Sequence, residues 1–238
     1  MSKIEYLKIK KLFIRGSFAA LLTIFLGEIP LGWVVNPEAD TEILSVILGY
    51  ASLSLLQLAC GLFFGVVGIP LQYYGYKAII EIMATSNYKK CTLLTDIGAK
   101  AIAFGGATVH VICVALMYIC KIEYPFITSQ IPQSIVDFAM WLVLPFSIVF
   151  MSIYTLMTIS MAIPIIRGKT IFPKWAVIFN PLVAKILIPA ISMVLPNTKL
   201  VNGLNMADMG IGSLLTFIGL LVLLEKQQKD MIENKKEE

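Results

Sequence analysis

From residue 12 to residue 224 the chain is a succession of apolar runs, each about as long as a bilayer core is thick, separated by short polar segments. A helix rises about 1.5 Å per residue, so roughly 20 apolar residues cross a hydrocarbon layer of about 30 Å. In lipid, backbone N–H and C=O groups must find partners within their own segment, which selects helices for runs of this length. Composition agrees: of 238 residues 58% are hydrophobic and only 14% charged, where soluble domains hold about a quarter charged residues. The mean hydropathy is +0.84. The expected fold class is all-α, a polytopic transmembrane helical bundle of six spans with both termini cytoplasmic, resident in the cell membrane as a multi-pass protein.

The spans are expected at approximately residues 12–35, 54–83, 97–120, 135–166, 175–195 and 205–224, with an interfacial helix at 43–53. That helix is assigned to the surface because residues 43–83 as one run would far exceed the bilayer thickness. Residues 1–224 then form a single transmembrane domain, and the charged residues 225–238 a solvated cytoplasmic tail. Basic residues set the orientation. Lys3, Lys8, Lys10, Lys11 and Arg15 mark the start of the first span, Lys77, Lys89 and Lys90 the end of the second and the loop after it, and Arg167, Lys169 and Lys174 the loop after the fourth. The first outer loop carries Glu38, Asp40 and Glu42 instead, and the positive-inside rule places both ends on the cytoplasmic side. Tyr73, Tyr74 and Tyr76 beside Lys77, and Trp175 beside Lys174, read as an inner aromatic belt. The three-plus-three arrangement permits an inverted repeat, but the halves share no aligned motif.

Several function classes are excluded. The net charge of +4 comes from residues flanking apolar runs, where they act as topology signals, so no nucleic-acid partner is expected. Cys60, Cys91, Cys113 and Cys120 show neither C-x-x-C nor Cys/His ligand spacing and read as buried small hydrophobes; no metal and no cofactor is expected. Hydrolase and metalloprotease signatures are absent. Gly65 and Gly68, Gly105 and Gly106, and Gly210 and Gly212 lie in apolar runs without the strand and turn of a nucleotide loop, and read as helix-packing positions.

What remains is a set of polar residues inside the membrane. A charged side chain at bilayer depth costs about 2.5 kcal/mol or more, so each needs a partner or a purpose. Counting from the inner ends puts Glu28 and His110 roughly 20 to 24 Å up their helices and Lys185 near the middle. Asp208 falls in the first turn at the outer end of the sixth span, near Asn205. All lie between the midplane and the outer surface, which implies one outward-facing polar cavity. Pro30, Pro181 and Pro189 cannot donate to the carbonyls of Leu26, Val177 and Lys185, which are expected to be free near the same depth. His110, the single histidine, shares a face with Ala99, Ala103, Gly106 and Cys113 and is expected to point into the bundle. The competing account is packing alone, with Lys185 paired to Glu28 or Asp208 and His110 bonding across helices.

Several of these positions resemble a family of uncharacterised bacterial six-span membrane proteins. The likeness rests on Glu28, the run Gly-Ile-Pro-Leu-Gln-Tyr-Tyr-Gly from Gly68 to Gly75, His110, Gly-Lys-Thr-Ile-Phe-Pro-Lys-Trp from Gly168 to Trp175, and Asn180-Pro181-Leu182. That family more often carries aspartate where Glu28 stands. The resemblance implies the architecture and brings no activity with it. Asn180 and Asn205 join Glu28, His110, Lys185 and Asp208 as the candidate ligand-binding set, with no catalytic residue assigned.

The first functional expectation is transport of a small molecule or ion, or ligand sensing, with a cation or amine entering from the outer side. The others are a non-catalytic, immunity-type protein docking a membrane-protein partner, and a membrane-embedded enzyme acting on a lipid. In the enzyme, Glu28 or His110 would be the general base and Lys185 would stabilise developing negative charge. The lipid bilayer is the common partner of all three.

Overall fold

The computed structural model describes residues 3–127 and 130–237, all helices and connecting turns with no strand among them. Residues 128 and 129, in the loop expected between the third and fourth spans, and Glu238 lie outside the described residues. We number the helices α1 (Ile4–Gly32), α2 (Glu42–Ala51), α3 (Leu55–Ala84), α4 (Lys89–Ile122), α5 (Gln133–Ile166), α6 (Pro181–Ser192), α7 (Lys199–Met206) and α8 (Asp208–Glu237). Five of them, α1, α3, α4, α5 and α8, are long and apolar enough to cross a membrane.

Helix starts follow from local chemistry. Thr41 accepts the Leu44 N–H at 3.2 Å to begin α2. Ser54 and Gln57 form a reciprocal capping box at the start of α3. At the end of α5, Gly168 takes φ 62 while its N–H reaches Ile165 and that of Lys169 reaches Pro164, both at 2.9 Å. This is the 6→1 and 5→2 closure that ends a helix at a left-handed glycine.

The fifth expected span, residues 175–195, is not one continuous helix. It is a 3-10 turn, Lys174–Phe179, followed by the twelve-residue α6. Pro181 pushes Asn180 into an extended conformation, φ −62 and ψ 134. The Asn180 N–H then closes on the Val177 carbonyl at 2.9 Å, so this carbonyl, expected to be free, is taken. Alone, α6 is about 18 Å long. The broken segment and the residues before it nevertheless follow α8 in the opposite direction from Gln227 to Asp208: Ile171 bonds Gln227, Phe179 bonds Thr216 and Lys185 pairs with Asp208.

Ion pairs fix which ends lie together. Lys8 meets Glu81 at 2.8 Å and Lys10 meets Glu225 at 2.6 Å, bringing the start of α1 together with the end of α3 and the second half of α8. At the opposite end Asn197 Nδ2 donates to the Asn36 carbonyl at 2.6 Å and Asn202 Nδ2 to that of Val34 at 2.8 Å. Helix α2 rests on α4, burying Ile47 and Ala51 against Cys120 and Ile135. The expected tail from residue 225 continues as helix to Glu237, since Lys, Glu and Gln are good helix formers and no breaker intervenes.

Burial is inverted relative to a soluble protein at many positions. Phe104 is 76% exposed and Trp141 77%, with Leu56, Phe63 and Ile148 also exposed along the long helices. Apolar surface on this scale suits lipid rather than water. The main core lies toward the end marked by the ion pairs, built by Phe13, Ile79, Met83, Met157, Met161, Phe217 and Leu220.

Candidate functional site

Above that core the helices part around a cavity of ≈ 580 Å³. Glu28, His110, Lys185, Asn205 and Asp208, five of the six residues selected from sequence, line it together. Asn180 is not in its wall. Its Nδ2 donates to the Thr158 carbonyl at 2.8 Å and its Oδ1 accepts the Leu182 N–H at 3.0 Å, so this buried side chain caps α6 and ties it to α5. Asn180→Ala is expected to lower stability by about 2 kcal/mol, the sum of a lost cap and an orphaned buried carbonyl. A thermal midpoint unchanged in detergent would contradict that role.

Glu28 reaches the cavity through a local widening of its helix. Residues Thr23–Glu28 form a π turn, and the Ile29 N–H closes back on Ile24. One extra residue per turn rotates everything beyond it, and such insertions are frequent at functional sites. Pro30 follows at once, so no N–H competes there. Glu28 is 9% exposed, and its buried Oε2 has no hydrogen-bond partner. It lies over Gly210 of α8, where a Cβ would overlap Oε2. Glycine at this position therefore makes the room.

Lys185 and Asp208 pair at 2.8 Å, which selects between the two partners open to the lysine from sequence. Asp208 is only 4% exposed and opens α8, where the helix N-terminus favours negative charge. The Lys185 side chain keeps 29% exposure toward the cavity. His110 Nε2 lies 2.8 Å from the Gly61 carbonyl; a carbonyl only accepts, so Nε2 carries the proton and donates. The imidazole fits against Gly65, whose missing side chain it replaces. His110 thus bonds α4 to α3 while still forming part of the wall.

The wall also holds groups that the sequence alone does not point to. Tyr76, read from sequence as a belt residue, is 2% exposed, and its hydroxyl meets Ser213 Oγ at 2.7 Å. Its neighbours behave differently: Tyr74 stays at the surface under the Arg15 guanidinium, and Tyr73 donates to Asp96 at 3.1 Å. Adjacent residues on a helix point about 100° apart, so a cluster of three tyrosines cannot all face the interface. Tyr154 also lines the cavity, and its buried hydroxyl has no partner. Gln72, Asn202 and Cys113 add to the polar wall, and Ile69, Ile102, Met117, Phe150 and Met151 form apolar patches.

Chemically, the arrangement is a neutralised ion pair beside a carboxylate with an unused oxygen. Among the described residues no three His, Cys, Asp or Glu side chains converge as metal ligands. Comparison with curated proteins and with solved structures finds no match. A family model does match, over residues 1–227, and the chain belongs to that family, a family of unknown function, DUF6796.

Proposed function

We propose that this protein crosses the cell membrane six times with both termini cytoplasmic, and that its cavity takes a small molecule or ion from the outer side for transport or sensing. The observation that carries the reading is Glu28: a buried carboxylate oxygen without a partner in the wall of a ligand-sized cavity. A buried carboxyl oxygen without a partner is costly, and an intramembrane ionisable residue of this kind marks a ligand or ion pathway.

Six crossings are supported by the course of residues 171–197, which accompany α8 from Gln227 to Asp208 and reach Asn36. With this broken crossing counted, both chain ends fall on one side, a reading supported by the Lys10–Glu225 pair. That end also carries Lys77, Lys89, Lys90, Arg167, Lys169 and Lys174. Interrupted helices at membrane depth are tolerated where they line a cavity, and they build the binding sites of many transporters. Residues 1–224 act as one membrane domain and 225–238 as its cytoplasmic extension.

The test is a thermal-shift screen of metabolites and inorganic ions against the purified protein in lipid nanodiscs. Compounds that stabilise the wild type are expected to lose their effect in Glu28→Gln while that variant stays monodisperse. Retention of every shift in Glu28→Gln would remove the basis of the reading.

A further inference from the structure

Resting on the cavity reading, we propose that its ligand is an organic monocation, an ammonium group carried on an apolar body, with the charge seated at Glu28. Three features of the wall lead there.

The first is charge. Lys185 and Asp208 already satisfy each other at 2.8 Å, so Glu28 is the acidic group of the lining that has no counter-charge. A ligand of a single positive charge supplies one, whereas an anion would have to break the existing pair. The second is hydrogen bonding. Two buried groups of the lining lack partners, Glu28 Oε2 and the Tyr154 hydroxyl. Both accept hydrogen bonds, and an ammonium group has only donors to give. The third is the remainder of the wall: Ile69, Ile102, Met117, Phe150 and Met151 offer aliphatic, thioether and aromatic surface, and an aromatic face also attracts cations.

A bare metal ion fits poorly. Calcium requires six to eight oxygen ligands and magnesium a near-ideal octahedron, but no group of three candidate ligands converges among the described residues. The volume of ≈ 580 Å³ is that of an organic-ligand site.

Cys113 lies in the same wall and serves as a reporter whose reactivity can be read before the natural ligand is identified. In full-length protein with Cys60, Cys91 and Cys120 replaced by alanine, Cys113 is modified from the outer side by two membrane-impermeant thiosulfonates, one bearing trimethylammonium and one sulfonate. Rates are normalised to those of free glutathione. The cationic reagent is expected to be favoured by roughly tenfold, as attraction by one nearby charge in a partly desolvated site implies. Glu28→Gln should bring the ratio close to one. A neutral methyl thiosulfonate reacting equally in both proteins establishes that Glu28→Gln is folded.

Labelling without charge preference, or with a preference that survives Glu28→Gln, would overturn the ammonium site and leave the outward cavity standing. No labelling by any reagent would overturn the outward cavity and this proposal together. A second measurement addresses the apolar body: hexylammonium should raise the thermal midpoint of the wild type, and hexanol, methylammonium and sodium should not. Equal shifts from hexylammonium and hexanol would contradict a charged site.

Discussion

Gly16→Ala is expected to cost about 3 kcal/mol or more and to leave little folded protein in detergent, although it adds one methyl group to an apolar helix. Gly16 of α1 faces Gly75 of α3 backbone to backbone, and a Cβ there would penetrate the Gly75 Cα and N, with the Phe217 ring of α8 next. A clash with a side-chain tip can relax through a rotamer change; a clash with backbone moves a whole helix. Phe217 is fully buried and packs edge-on against Tyr76, so separating α1 from α3 would also open the core beneath the cavity. Gly105→Ala is the matched control. Nothing lies within 4 Å of a Cβ at Gly105, so the change should be neutral or gain up to about 1 kcal/mol from helix propensity. Equal thermal midpoints for the two variants, measured in the same detergent, would refute this packing account.

Gly105 and Gly106 look alike in the sequence, yet only Gly106 meets another helix, through Ile69 and Phe150. Small residues announce that helices approach, but not which helix or which of two neighbours. The same distinction runs through the site. Depth along a helix follows from counting residues, so the convergence of Glu28, His110, Lys185, Asn205 and Asp208 at one level is legible. Pairing is not, because it depends on rotation about each helix axis. The π turn at Thr23–Glu28 changes that rotation without any residue type that signals it. Tyr76 eludes the sequence for the same reason: its height suits a belt, but its direction is into the bundle. The apolar runs themselves are readable because bilayer thickness imposes their length. The break at Asn180 is foreshadowed by Pro181, which disfavours helical geometry in the residue before it.

The two acidic residues of the cavity should differ in what their removal costs. Asp208→Leu leaves the Lys185 ammonium without its partner, and breaking a buried pair from one side costs about 3 to 5 kcal/mol. The lower end applies because Lys185 retains 29% side-chain exposure and can recruit water. Adding Lys185→Met should recover most of that loss, since the penalty belongs to the stranded charge rather than to the missing attraction. Glu28→Gln alters a carboxyl whose Oε2 had no partner to lose, so its stability should stay within about 1 kcal/mol of the wild type in the absence of ligand. A four-member series of wild type, Asp208→Leu, Asp208→Leu with Lys185→Met, and Glu28→Gln in one nanodisc preparation separates the roles. Should Glu28→Gln fall as far as Asp208→Leu, Glu28 would be holding the bundle together, and its unused oxygen would no longer argue for a ligand. A Glu28→Gln protein as stable as the wild type would mean that folding does not need the acid, as expected of a residue that serves what enters the cavity.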